Sequence, residues 1–252
     1  MMNSFLKPVK FMVSSPFTIM VPLACSLLIF CISYLLSAPV IEMLLDIFIG
    51  FNIPKAGFME LPKALAMQYP AAVLSIAMII FLSLFLVMLQ MLYISAKVMD
   101  VKAGFPKLLK KATVLAVFFL CVSALFAFLF LLSFSLAAFS PILSTLLSLA
   151  FLVAAAMVFF RVIFLPSAYA NEERLRKAIE KCWSAAGKKM LENAGFVVAL
   201  AFISGIGGGF FIFLADFIQA DLIFIALSIM IPALFNAYTF SALAFRYAQL
   251  NG

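Results

Sequence analysis

A chain of 252 residues with 67% hydrophobic and only 11% charged side chains cannot cover its own core with polar surface, since soluble domains carry about 45–50% apolar and roughly 25% charged residues. Its outer solvent is therefore lipid. The net charge of +7 does not mark a nucleic-acid-binding domain, because the cations lie between apolar runs instead of gathering in one solvated region.

A bilayer core about 30 Å thick takes roughly 20 apolar residues as helix. The first such run, Phe17–Leu36, follows Lys7 and Lys10. It is too long for a secretory h-region of about 7–15 residues, and Pro39 spoils the cleavage context, so an uncleaved span is expected. Next come a short surface helix over Val40–Ile49, with Glu42 and Asp46 on one face, and an irregular extracytoplasmic loop over Gly50–Pro70. The second span covers Ala71–Ala96, and a lysine-rich connection over 97–112 leads to the third, Thr113–Phe139. A turn at Ser140–Pro141 leads to the fourth, Ile142–Leu165; Pro141 and Pro106 sit where proline is tolerated, near helix starts.

The connection over 161–193 is predicted to hold an amphipathic helix. Leu175, Ala178, Ile179, Cys182, Trp183, Ala186 and Met190 recur at three- and four-residue steps, with the charges on the other face. Such a helix lies along the membrane surface with Trp183 at headgroup level. The fifth and sixth spans, Ala194–Gln219 and Leu222–Tyr247, form a tight hairpin, as do the third and fourth. Backbone groups in hydrocarbon must bond internally, so continuous apolar runs become helices; the alternating segments of a barrel are absent. The expected fold is an all-α, six-span transmembrane bundle forming one integral membrane domain.

Orientation follows from the cations. Alternate connections hold fifteen Lys and Arg on one side against two, Lys55 and Lys63, on the other. The positive-inside rule puts the larger group in the cytoplasm, with both termini inside and the chain in the cell membrane.

Residues 161–187 also resemble a family pattern. Arg161 ends a span, and FLP, NEE and AIEKCWSAAG follow. This is similar to the small prokaryotic six-span membrane module that is also fused to some glycerophosphodiester phosphodiesterases. The matching positions are Pro166, Glu172, Ala178, Ile179, Ser184 and Gly187. The resemblance implies the six-span architecture and no catalytic residues; with no attached soluble domain in this sequence, it does not imply phosphodiesterase activity.

The chain contains no histidine, which excludes a Ser-His-Asp triad, histidine metal sites and HExxH chemistry. Asp216 and Asp221 flank an outer turn and read as interfacial carboxylates, not as an aspartyl dyad at bilayer depth. Cys25, Cys31, Cys121 and Cys182 lack zinc-site spacing and read as packing residues. No charged side chain falls at a span centre, which disfavours ion-coupled transport. No catalytic, cofactor or metal site is assigned.

Three features remain. Gly205 and Gly209 have GxxxG spacing inside a glycine cluster, and read as a helix-packing notch or as a break lining a cavity. Pro232 is expected to kink the last span, where Asn236 needs a hydrogen-bond partner or a ligand. Lys97, Lys102, Lys107, Lys110 and Lys111 are expected at the membrane surface, facing anionic lipid. Together these describe a non-enzymatic membrane protein working through lipid or protein contacts, with a membrane-protein partner or a second copy in view and no nucleic acid. The alternative is a small transporter, or a transporter subunit, for a lipid or apolar solute.

Overall fold

A computed structural model describes residues 2–50, 60–136, 140–217 and 221–251. Among these residues there is no strand, and the chain is an all-α membrane protein. Five helices are each long and apolar enough to cross a membrane; a sixth crossing is reached if the helices over 175–187 and 190–206, bent by 96° at their junction, are taken together.

The chain opens with a helix not anticipated from hydropathy, α1 (Met2–Ser14). Its apolar run is short and interrupted by Lys7 and Lys10, so no window marks it. The helix α2 (Phe17–Phe48) is one continuous element. The separate surface helix expected at Val40–Ile49 is its last part. Pro39 removes one backbone donor without ending it, a loss membrane helices absorb. At about 1.5 Å per residue, α2 outreaches the hydrocarbon, and Glu42 and Asp46 lie near its far end.

The loop expected over Gly50–Pro70 falls partly outside the described residues, and its described part contains α3 (Leu61–Gln68), entered through Pro62 in its first turn. The remaining helices are α4 (Pro70–Val98), α5 (Phe105–Ser135), α6 (Pro141–Val162), α7 (Leu165–Asn171), α8 (Leu175–Lys188), α9 (Met190–Phe217) and α10 (Asp221–Asn251). The α4–α5 connection is short. Val101 N–H reaches Ala96 O at 2.8 Å and Asp100 N–H reaches Lys97 O at 3.3 Å. These are the two bonds of a Schellman cap, with Asp100 taking the left-handed position at φ 53°. So α5 begins eight residues before the expected span, and Lys107, Lys110 and Lys111 lie on its opening turns.

Contacts divide the chain into two units. Unit 1 comprises Met1–Leu27, Phe85–Leu115 and Ala156–Gly252; unit 2 comprises Leu28–Leu84 and Ala116–Ala155. The segments of unit 1 hold all fifteen cations that the alternation assigned to one side, while Lys63 belongs to unit 2 and Lys55 lies outside the described residues. In unit 2, α5 and α6 form an antiparallel pair. Ser133 and Ser148 hydroxyls meet at 2.7 Å and the Phe130 and Phe151 rings at 6.5 Å, numbering rising on one helix as it falls on the other. Leu125, Phe128, Leu146 and Leu152 are exposed on this pair, as suits helices whose outer solvent is lipid.

Candidate functional site

Residue by residue, the last hairpin departs from expectation. The helix α9 runs unbroken through the glycine cluster, so no unwound segment exposes backbone. Gly205 is exposed, and among the described residues a Cβ there would meet no atom within 4 Å. The surroundings of Gly209 lie outside the described side chains, as do those of Asp216 and Asp221. Pro232 lies inside α10, which continues on both sides of it. Asn236 is half-buried and makes no hydrogen bond among the described residues. The polar link between α9 and α10 comes instead from Ser204 and Thr239, whose hydroxyls meet at 2.8 Å.

The polar chemistry of unit 1 concentrates around α7. Every residue from Leu165 to Ala170 is buried, so the backbone of this short helix must be paired within the protein. At its C-terminus, Glu172 N–H takes the Ala168 carbonyl at 3.2 Å. Lys111 donates to the next two carbonyls, Tyr169 at 2.6 Å and Ala170 at 3.0 Å. The Lys111 ammonium also stands 5.1 Å from the Tyr169 ring centroid. A cation here meets carbonyls that no intrahelical donor reaches and the negative end of the helix dipole. Lys111, expected at the membrane surface, is therefore a buried helix cap at 6% exposure, while Lys97, Lys102, Lys107 and Lys110 are exposed. The Ser95 and Ser167 hydroxyls, 2.9 Å apart, tie α4 to the same helix.

Helix α8 packs one side against the rest of unit 1: Ala178, Cys182, Ala185 and Ala186 are at most 2% exposed, while Arg176 and Lys177 are exposed. Arg161, at the end of α6, lies 4.8 Å from the Trp183 ring centroid and donates to the Trp183 carbonyl at 3.3 Å. Cys182 Sγ–H donates to the Arg161 carbonyl at 2.8 Å. Among the positions carrying the family resemblance, Pro166 and Ala178 are buried, and Gly187 keeps Arg161 in place. A Cβ on Gly187 would come within 3.0 Å of Arg161 Nη1. Gly187→Ala should therefore push the guanidinium off the indole and change the emission of Trp183, the sole tryptophan. Stability should move by less than about 1 kcal/mol, since alanine's helix propensity offsets the lost stacking. Unaltered emission would show that Arg161 does not rest on the ring.

Between α9 and α10 a second polar set closes. Arg246, 8% exposed, donates from Nε to Asn193 Oδ1 at 3.0 Å and from Nη2 to Glu192 Oε2 at 3.1 Å. Asn193 Nδ2 in turn donates to the Ala186 carbonyl at the end of α8, at 3.3 Å. Outside the spans, Lys107 donates to Glu173 at 3.0 Å and holds its carboxyl below the usual carboxylate range. Lys181 pairs with Glu172.

The residue most at odds with its surroundings is Gln90 on α4. It is wholly buried, and neither its Nε2 nor its Oε1 has a hydrogen-bond partner among the described residues. The Cys25 thiol of α2 lies close enough for a weak contact, but sulfur is a poor partner and does not meet the amide's hydrogen-bonding capacity. A hydropathy window averages one amide away, so only a search for single uncharged polar residues inside the spans would have found it. The cysteines divide: Cys25 and Cys182 are buried, whereas Cys31 and Cys121 are exposed, contrary to the packing role expected for all four.

Two concavities accompany these networks. In unit 1 an apolar groove of about 590 Å³ runs between α1 and α10, lined by Val9, Met12 and Val13 of α1, Ile19 of α2, and Leu234 and Tyr238 of α10. In unit 2 a more polar hollow of about 380 Å³ holds Glu42, Asp46, Gln68 and Tyr69. There the Tyr69 hydroxyl donates to Asp46, which raises its pKa. Among the described residues no group of three or more His, Cys, Asp or Glu is placed to hold a metal ion. No known family, curated protein or solved structure matches the chain.

Proposed function

We propose that this is a non-enzymatic membrane protein of the cell membrane, with both termini in the cytoplasm, acting through lipid or protein contacts at its basic end. The observation that carries the reading is the use made of buried charge. Lys111 and Arg246, together with half-buried Arg161, are each committed to backbone carbonyls or side chains that hold α7 and α8. None converges with a second reactive group on an open pocket, which a general acid–base site requires. What is left for an outside partner is a set of exposed cations, Lys97, Lys102, Lys110 and Lys177, together with the exposed ring of Trp183. Lysine and arginine on such a surface attract anionic headgroups, about 1 kcal/mol each.

In this reading α8 is the amphipathic helix at the membrane surface, held by Arg161. The resemblance of residues 161–187 to the six-span module supports the same picture. Gly205, with no atom of the described residues within 4 Å of where a Cβ would stand, offers a small-residue surface to a helix of a second copy or of another membrane protein.

The alternative is transport of a lipid or apolar solute, favoured by the groove between α1 and α10. Purified protein in vesicles with a fluorescent phospholipid separates the two. Membrane-impermeant dithionite should bleach only the outer-leaflet fraction, as in protein-free vesicles. Bleaching of both leaflets would replace the contact reading with lipid translocation.

A further inference from the structure

We infer that the groove between α1 and α10 is a binding site for one acyl chain of an anionic phospholipid, with its headgroup at Lys7 and Lys10. The inference deepens the lipid-contact reading and rests on it.

The groove is preformed. Phe5 of α1 packs on Phe196 of α9 at 5.1 Å between ring centroids, and Phe11 packs edge-on against Phe245 of α10 at 5.7 Å. The Tyr238 hydroxyl is directed at the Phe5 carbonyl, 3.5 Å away. Anchored through these rings, α1 holds Val9 and Val13 away from α10, and the space between has the volume of a small-molecule pocket, about 300–1,000 Å³. Its walls are aliphatic side chains, aromatic rings and the Met12 thioether, apart from that one hydroxyl. Water gains nothing in such a space, and a saturated chain fills it at no cost in lost hydrogen bonds.

The headgroup preference follows from the charges around the groove. Residues 1–27 contain no carboxylate, and α10 has none after Asp221. Lys7 and Lys10 are exposed on α1 and enter no ion pair among the described residues. Lys10 follows Val9 directly and precedes Val13 by three residues, so it flanks the exposed wall of the groove. The third cation, Arg246, is occupied by Glu192 and Asn193, and Glu192 is shared with Lys189. An uncommitted ammonium flanking an apolar channel, with a second one three residues earlier on the exposed face of α1, matches a phosphate attached to a hydrocarbon tail.

Quenching by brominated lipid tests this. Trp183→Phe removes the native tryptophan, and Val13→Trp places a reporter on a groove residue that is 77% exposed and tolerates enlargement. Leu125→Trp, on the lipid-facing surface of α5 at 56% exposure, is the control. At equal mole fraction in phosphatidylcholine vesicles, brominated phosphatidylglycerol should quench the Val13→Trp reporter with about tenfold preference over brominated phosphatidylcholine. The control should show none, and Lys7→Gln with Lys10→Gln should abolish the preference. Equal quenching by both lipids would reduce the groove to ordinary boundary lipid and overturn the inference. Protection from both, with self-association of the chain, would overturn it in favour of a second copy covering the groove. Because quenching is blind to flipping, a failure here is distinct from a positive dithionite result.

Discussion

Lys111→Met should cost about 3 kcal/mol of stability in reversible detergent unfolding, while Lys110→Met, one residue away, should stay within about 0.5 kcal/mol of the parent. Lys110 is exposed, and surface substitutions away from specific contacts have effects of that small size. Lys111 is buried and satisfies the Tyr169 and Ala170 carbonyls of α7. Its removal leaves two buried acceptors unpaired, at about 1–3 kcal/mol each. The relief from no longer burying an ammonium offsets part of this. Methionine matches the stem of lysine, so packing alone predicts no difference between the variants. Equal stability of the two would mean that water reaches the end of α7 and that the lysine caps nothing.

The same pair of residues shows where sequence reasoning stops. Hydropathy located the long apolar helices because lipid imposes their length, whereas the alternation of Lys and Arg assigned sides to the connections and gave no sign of a division into two units. Neither signal carries rotation about a helix axis. Lys110 and Lys111 are indistinguishable to a charge count, yet about 100° of helical rotation sends one outward and the other under α7. On α10, Asn236 drew attention as the most polar side chain near the span centre, but Ser204 meets Thr239, three residues further along. The start of α5 at Phe105 followed from a Schellman cap with aspartate where glycine is usual, and aspartate gave no stop signal. Helix α1 went unread because its burial depends on Phe196 and Phe245, nearly the whole chain away. The lipid-facing groove it forms was equally invisible.

Gln90→Met should raise stability by about 1–3 kcal/mol, an uncommon sign for a substitution at a wholly buried position. The usual argument for conserving a buried amide is that its partners would be stranded. Gln90 has at most a weak contact with the Cys25 thiol, and by geometry its Nε2 and Oε1 are both unpaired among the described residues. Each buried polar group without a partner costs about 1–3 kcal/mol on mutational scales. Methionine keeps the unbranched shape and close to the same volume, so no cavity opens beside Cys25. Gln90→Ala makes a useful second variant, because it also removes the amide but leaves a void, and the cavity cost should outweigh the relief. The predicted order is therefore methionine above glutamine above alanine. If methionine proved less stable than glutamine, the amide would hold a real partner within the bilayer, and Gln90 would become the first place to look for a ligand in unit 1. A residue that lowers stability with no structural return is one that function retains, so the activity of the Gln90→Met variant, whatever assay comes to define it, is the measurement that separates accident from use.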